Sequence, residues 1–313
     1  MDIISLILWP FKWILEAILV TFHSVFTTIG MGEDQGYTWV ASIVGLVLVV
    51  RAALIPLFVK QIKSQRAMFV LQPDLQKLQK KYKGKTDRDS RERMAKEQMA
   101  LYKKHGSSPF SSCLPLIAQM PVFFSLFTTL TEAQNSKPGV GLLTTELSTS
   151  FANSKFLGAS LSETFLTAST ISVQIMAGIM IVLMTSSQFI TQKQIMAKNQ
   201  NPDSMNSQFA QTQKIMLYAF PVIFLISGVA FPLGVLIYWL VSNFWTMGQQ
   251  YYVIKRMPTP GSIAHKEREA RLERKGKKPE AEAPIQEEEP QQPAQRIQPV
   301  SKARAKKKPN GKK

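Results

Sequence analysis

The chain alternates between two kinds of material: apolar runs and polar or charged blocks. Crossing a bilayer takes about 20 helical residues, and several runs reach that length. Residues 3–29, IISLILWPFKWILEAILVTFHSVFTTI, form the first, interrupted by Lys12, Glu16 and His23. The segment 1–37 reads as an extracytoplasmic amphipathic helix and loop, the helix lying at the membrane interface; a poor spanning helix is the alternative. The first span is expected at 38–59, with a kink at Pro56. Further spans are expected at 110–130, 165–190, 215–230 and 235–252. Pro115 and Pro121 distort the second, which a membrane bundle tolerates. The sequence FPLG at 231–234 turns the last two spans into a tight helical hairpin.

Between these spans lie blocks of different character. Residues 60–106 carry 14 Lys or Arg against 5 Asp or Glu. Leu75, Leu78 and Tyr82 recur at helical spacing, and two amphipathic arms, 65–83 and 88–104, predict a helical hairpin. Residues 131–164 are polar and nearly neutral. Residues 191–214 form a polar connection. From 255 the chain reads as a disordered basic tail, too charged and too poor in apolar residues to fold alone. The expected fold class is therefore an all-α polytopic membrane protein: a five-helix transmembrane core with a cytoplasmic helical hairpin and an N-terminal interfacial helix.

Charge fixes an orientation. The 60–106 block is +9, the 191–214 connection +2 and the tail +9, whereas 131–164 is −1. The positive-inside rule puts the three basic blocks on the cytoplasmic side of a cell membrane, with the N-terminus outside. A net charge of +17 would suggest nucleic acid on a soluble protein; here it favours anionic phospholipids. Lys306, Lys307, Lys308, Lys312 and Lys313 are candidates for contact with the ribosome or with lipid, a solvated tail being the alternative.

Chemistry is limited. A single cysteine, Cys113, excludes an internal disulfide, and the three His are scattered without metal-ligand spacing. There is no P-loop, no HExxH and no paired carboxylate within the five spans. No cofactor and no enzymatic activity are expected. What remains is Arg51, within the apolar run 39–59. A cation at membrane depth costs about 3 kcal/mol or more, so a polar or wet cavity is expected around it. The alternative is a helix that ends earlier and lets the arginine snorkel to the interface. Gln119, Gln188, Tyr238 and Asn243 supply uncharged polar groups to the other spans; simple helix–helix hydrogen bonding is the rival use. Trp13, Trp39 and Trp245 are expected at the interfaces.

These residues also carry a resemblance. The segments VVRAALIPLFVKQIKSQRAMFVLQPDLQKLQKKY at 49–82, SSCLPLIAQMPVFFSLFTTL at 111–130 and FPVIFLISGVAFPLGVLIYWLVSNFWTMGQQYY at 220–252 resemble the YidC/Oxa1/Alb3 insertases in their short form. The resemblance implies a membrane insertase and chaperone with a hydrophilic groove open to cytoplasm and lipid. Arg51 matches the groove arginine, Gln119 and Gln188 fall at groove positions, and Trp239 falls beside the exit path. Val47 stands where some relatives have a hydroxyl residue. The implied partners are nascent integral membrane proteins, the SecYEG translocon, the ribosome and the signal-recognition pathway. Met68, Leu75, Leu78, Met94 and Met99 would offer substrate an adaptable apolar surface on the hairpin, ordinary packing being the alternative. A transporter that binds an anion at Arg51, or a passive scaffold, remains open on the residues alone.

Overall fold

The computed structural model describes residues 3–105, 114–199 and 208–276; for 3–5, 65, 114–116, 118 and 208–210 it describes the backbone alone. Within them lie ten helices and one two-stranded hairpin: α1 Ile3–Thr28, α2 Gly36–Ala53, α3 Ile55–Lys81, α4 Arg88–Lys104, α5 Leu114–Gln134, α6 Thr145–Asn153, β1 Lys155–Phe156, β2 Ala159–Ser160, α7 Ile171–Asn199, α8 Gln208–Gly228, α9 Leu233–Arg256 and α10 Ile263–Arg274. Among the described residues the only regular structure besides helix is that hairpin. Three helices are both long and apolar enough to cross a membrane: Leu6–Thr28, Gly36–Ala53 and Ile171–Asn199. Helices α5, α8 and α9 also have the length, at 21, 21 and 24 residues. The large side chains these helices expose are almost all apolar, among them Ile175, Ile179 and Val182 of α7 and Ile215, Val222 and Ile226 of α8. Such a surface belongs in lipid or against a partner.

The first span is not one kinked helix over 38–59. It stops at Ala53, and α3 begins at Ile55 with Pro56 in its first turn. Proline has no N–H to offer the carbonyl of Ala52 and its ring collides with that carbonyl. Leu54 bridges the break, donating to Val50 and accepting from Phe58.

Helix α1 inverts the usual amphipathic pattern. Lys12, Leu15, Glu16, Leu19 and His23 share one face and are buried, whereas Leu6, Ile7, Trp9, Phe11, Trp13 and Ile14 face outward. The three polar residues that interrupt the run thus point into the protein, against α2 and α5. Lys12 donates to Glu132 at the end of α5. The Glu16 carboxylate, fully buried, accepts the N–H groups of Val140 and Gly141 at 3.0 and 2.7 Å. A Cβ at Gly139 would collide with that carboxylate, and one at Gly45 would lie 2.7 Å from the Phe22 ring, so both glycines permit close approach. Trp39 is no interface anchor: it is fully buried, its ring 4.0 Å from that of His23, and it donates to Ser150.

Residues 131–164 are an ordered cap rather than a plain polar loop. They contain α6, with Thr144 capping its N-terminus through Leu147 N–H, and the β-hairpin. The carbonyls of Glu163 and Leu161 accept the N–H groups of Leu233 and Gly234 at 3.0 Å each. These are orphan donors of the first turn of α9, which has no side-chain cap of its own. The α8–α9 reversal is as tight as expected. Helix α7 starts later than 165 and runs on to Asn199, absorbing part of the expected connection. The tail is not wholly irregular: α10, capped by Ser262, packs on α7 and α9, and Lys198 pairs with Glu267. Lys306, Lys307, Lys308, Lys312 and Lys313 lie outside the described residues.

Helices α3 and α4 pack together through Met68, Leu71, Leu75 and Tyr102. At one end Lys81 donates to both Glu97 oxygens at 2.8 Å and Tyr82 donates to the same carboxylate at 2.8 Å. The hydrogen bond from Lys81 lowers the Glu97 pKa from its ordinary 4.5, and the same bond raises that of Lys81 from 10.5. Glu97's contribution is present above its ordinary value and disappears as pH falls through the depressed one; that of Lys81 is present below its ordinary value and disappears as pH rises through the raised one. A spin-label distance between positions 80 and 96 is therefore expected to hold across the neutral range and to lengthen only when the pH falls well below 4.5 or rises well above 10.5; a steady change across the neutral range would contradict it. In α1, Glu16→Ala strands two backbone donors and is expected to cost about 2–3 kcal/mol, read as a lower thermal midpoint in detergent. An unchanged midpoint would mean that the carboxylate does not hold the 139–141 turn.

Candidate functional site

The break at Pro56 sets the position of Arg51. It lies in the last turn of α2, two residues from the end, and not in the middle of a span. A cation there interacts favourably with the helix dipole, by about 0.3–1 kcal/mol. The earlier helix end is the one anticipated by the snorkelling alternative. The side chain is nonetheless half-buried, within electrostatic reach of Tyr238 on α9. Its guanidinium carbon is 5.5 Å from the ring centroid of Phe58 on α3. No carboxylate among the described residues pairs with it.

Around Tyr238 the polar groups of three helices meet. Tyr238 is 3% exposed, and its hydroxyl accepts from Gln119 Nε2 on α5 at 3.0 Å. Ser242, one turn further along α9, lies beside the phenol. The Oε1 atom of Gln119 is buried without a hydrogen-bond partner. A buried amide oxygen left open costs about 1–3 kcal/mol unless water or a ligand meets it. The structure therefore brings Arg51, Gln119 and Tyr238 together as a polar cluster with one cation, no anion and one unused acceptor. It offers no nucleophile–base pair; its chemistry is reversible attraction.

The remaining expected residues go elsewhere. Asn243, buried, donates to the Met184 carbonyl at 3.2 Å and reaches Ser187 Oγ at 3.5 Å. It faces α7 and ties the two helices together, the rival use anticipated for it. Gln188 is half-buried on α7 and makes no hydrogen bond to a described residue. Trp239 stands at the centre of an aromatic cluster, its ring 5.0 Å from Phe123, 4.9 Å from Phe224 and 5.6 Å from Phe231. It packs α5, α8 and the α8–α9 turn against α9. On the α3–α4 pair, Met68, Leu75 and Leu78 are buried and so offer little surface to a substrate; Met94 is half-buried and Met99 is 50% exposed. Phe58 escaped sequence reasoning; its signal is its spacing from Arg51, seven residues and two turns across a proline. Val47 is buried in the main core, which leaves the arginine no hydroxyl partner one turn back.

The family model described as 60Kd inner membrane protein matches residues 31–260, from the turn before α2 to the end of α9. The chain belongs to this family. A Streptomyces avermitilis relative named membrane protein insertase YidC is 44% identical over 272 residues, which is 84% of this chain but 61% of the relative. A Tropheryma whipplei relative of the same name is 41% identical over 315 residues, 97% of either chain. One from Bifidobacterium longum is 38% identical over 270 residues, 85% of this chain and 80% of its own. The chain thus spans about three fifths of the Streptomyces relative and nearly all of the Tropheryma one.

Two substitutions separate packing from site. Asn243→Ala is expected to lower stability by about 1 kcal/mol by removing an interhelical tie. Tyr238→Phe, which strips the acceptor from Gln119, is expected to cost about as much, read as a lower thermal midpoint in detergent. An unchanged midpoint in Tyr238→Phe would argue against a polar cluster held by the phenol.

Proposed function

We propose that the chain is a membrane protein insertase and chaperone that inserts and helps fold integral membrane proteins, alone or with the Sec translocon. The observation that carries this reading is Arg51: a half-buried cation that no described carboxylate pairs with, beside uncharged polar groups on two other helices. The names of the relatives point the same way. A nascent segment must carry the polar groups of its outside tail across roughly 30 Å of hydrocarbon. A polar groove shortens that distance. An unpaired arginine in a low-dielectric setting attracts an acidic residue more strongly than a surface charge does, and lets it go because no rigid clamp holds it.

In this reading α2, α5, α7, α8 and α9 are the five spans of a multi-pass protein of the cell membrane, with the N-terminus outside and the C-terminus in the cytoplasm. The α3–α4 pair is the cytoplasmic hairpin that receives substrate, with Met94 and Met99 as its adaptable contacts. Helix α1 lies at the extracytoplasmic interface. Its middle residue Glu16 binds the 140–141 turn, beyond the end of α5, and irregular backbone facing lipid does not survive at the bilayer centre. The groove is lined by Arg51, Gln119, Gln188 and Tyr238, with Trp239 and Asn243 supporting its wall. The partners are nascent membrane proteins, the SecYEG translocon, the ribosome with the signal-recognition pathway, and anionic phospholipids. The terminal lysines 306–308, 312 and 313 reach the ribosome or the lipid.

Arg51→Ala tests the proposal. In an insertase-depleted host it is expected to slow insertion of a single-span substrate with an acidic outside tail by roughly tenfold, about 1.4 kcal/mol. The same substrate with its tail neutralised should insert normally. Equal insertion of the acidic substrate by parent and variant would contradict the electrostatic role.

A further inference from the structure

No carboxylate among the described residues holds Arg51, yet it is not left to itself. Its guanidinium carbon sits 5.5 Å from the Phe58 ring centroid, inside the range of about 6 Å over which the negative face of an aromatic ring attracts a cation. The two residues belong to different helices, separated by Leu54 and Pro56. The helix end fixes the Cα of Arg51, and the restart at Ile55 fixes that of Phe58. Phe58 is itself half-buried, so part of its ring is withheld from water, where such attraction is stronger.

We propose that Phe58 is a positioning residue for substrate capture: its ring seats the Arg51 guanidinium in the groove. The inference rests on the insertase reading and deepens it. A carboxylate in the place of Phe58 would neutralise the cation and compete with every acidic substrate. A water-exposed arginine with no seat would spread over many rotamers and meet a passing acid in few of them. A ring does neither. It holds the side chain on one side and leaves the guanidinium N–H donors, which lie in the plane of the group, open to a carboxylate. The ring recognises charge alone, so the seat favours the arginine without fixing it, consistent with a site that must release what it binds.

Fluorinated phenylalanines at position 58 test this in the full-length protein, because fluorine drains the ring face of negative charge with little change of size. Insertion of an acidic-tailed substrate is expected to fall stepwise from phenylalanine to the trifluoro derivative, by roughly three- to fivefold in all. A neutral-tailed substrate should be unaffected, and Phe58→Trp should restore or exceed parental insertion of the acidic one. Equal insertion by phenylalanine and trifluorophenylalanine would overturn the proposal, as would a parallel loss for both substrates, which is the mark of packing alone. The Arg51 Nε–Hε resonance gives a readout independent of insertion. Phe58→Leu should move it by removing the ring current, and an unmoved resonance rejects the seat. If the resonance moves but Arg51→Ala does not distinguish acidic from neutral tails, the seat exists and it is the electrostatic insertase reading that fails.

Discussion

One proline organises the site. Pro56 cannot donate to Ala52, so α2 ends at Ala53 and α3 begins at Ile55. Three consequences follow from that missing hydrogen bond. Arg51 falls in the last turn of a helix, where the dipole favours a cation. Phe58 comes within reach of its guanidinium. And α3 departs as a helix in its own right, 27 residues long, to pair with α4. A continuous helix through residue 59 would have left the arginine in mid-span, without a helix end beside it.

The opposite end of the bundle obeys a second constraint: polar groups in an apolar setting must find each other. Helix α1 meets it by facing Lys12, Glu16 and His23 inward, where Glu132, the 140–141 turn and the carbonyl of Glu33 satisfy them. The residues 154–166 meet it by lending carbonyls to the bare N-terminus of α9. That end of the bundle is thereby closed by hydrogen bonds. The Arg51 cluster is the reverse case, with a cation lacking an anion and an amide oxygen lacking a donor among the described residues. That contrast is physical grounds for assigning structure to one end and transient binding to the other.

The helices were legible in the sequence because their apolar runs are long, and the α8–α9 reversal because proline and glycine punctuate it. Boundaries were less so. Proline at 56 was read as a kink, although a first-turn position is where proline ends one helix and starts another. The polarity of α1 was read as the mark of an interfacial helix; that Lys12, Glu16, Leu19 and His23 share one buried face was legible in their spacing and went unread. Low hydrophobicity concealed α6 and α10, whose stability comes from packing and capping rather than from a stripe of their own. Arg51, Gln119 and Tyr238 could be picked out as candidates because charge and polarity within long apolar runs are rare enough to stand out. Asn243 shares that rarity and serves the α7–α9 contact instead, a distinction that composition does not carry.

The central claim is that a nascent chain passes beside the Arg51 cluster. A photocrosslinking amino acid at position 119, set against one at the outward-facing Ile226, tests it most directly with a ribosome-bound membrane protein stalled during insertion. The account predicts adducts to the nascent chain from 119 that strengthen when the substrate tail is acidic and fade in Arg51→Ala. Adducts from 226 with none from 119 would contradict it.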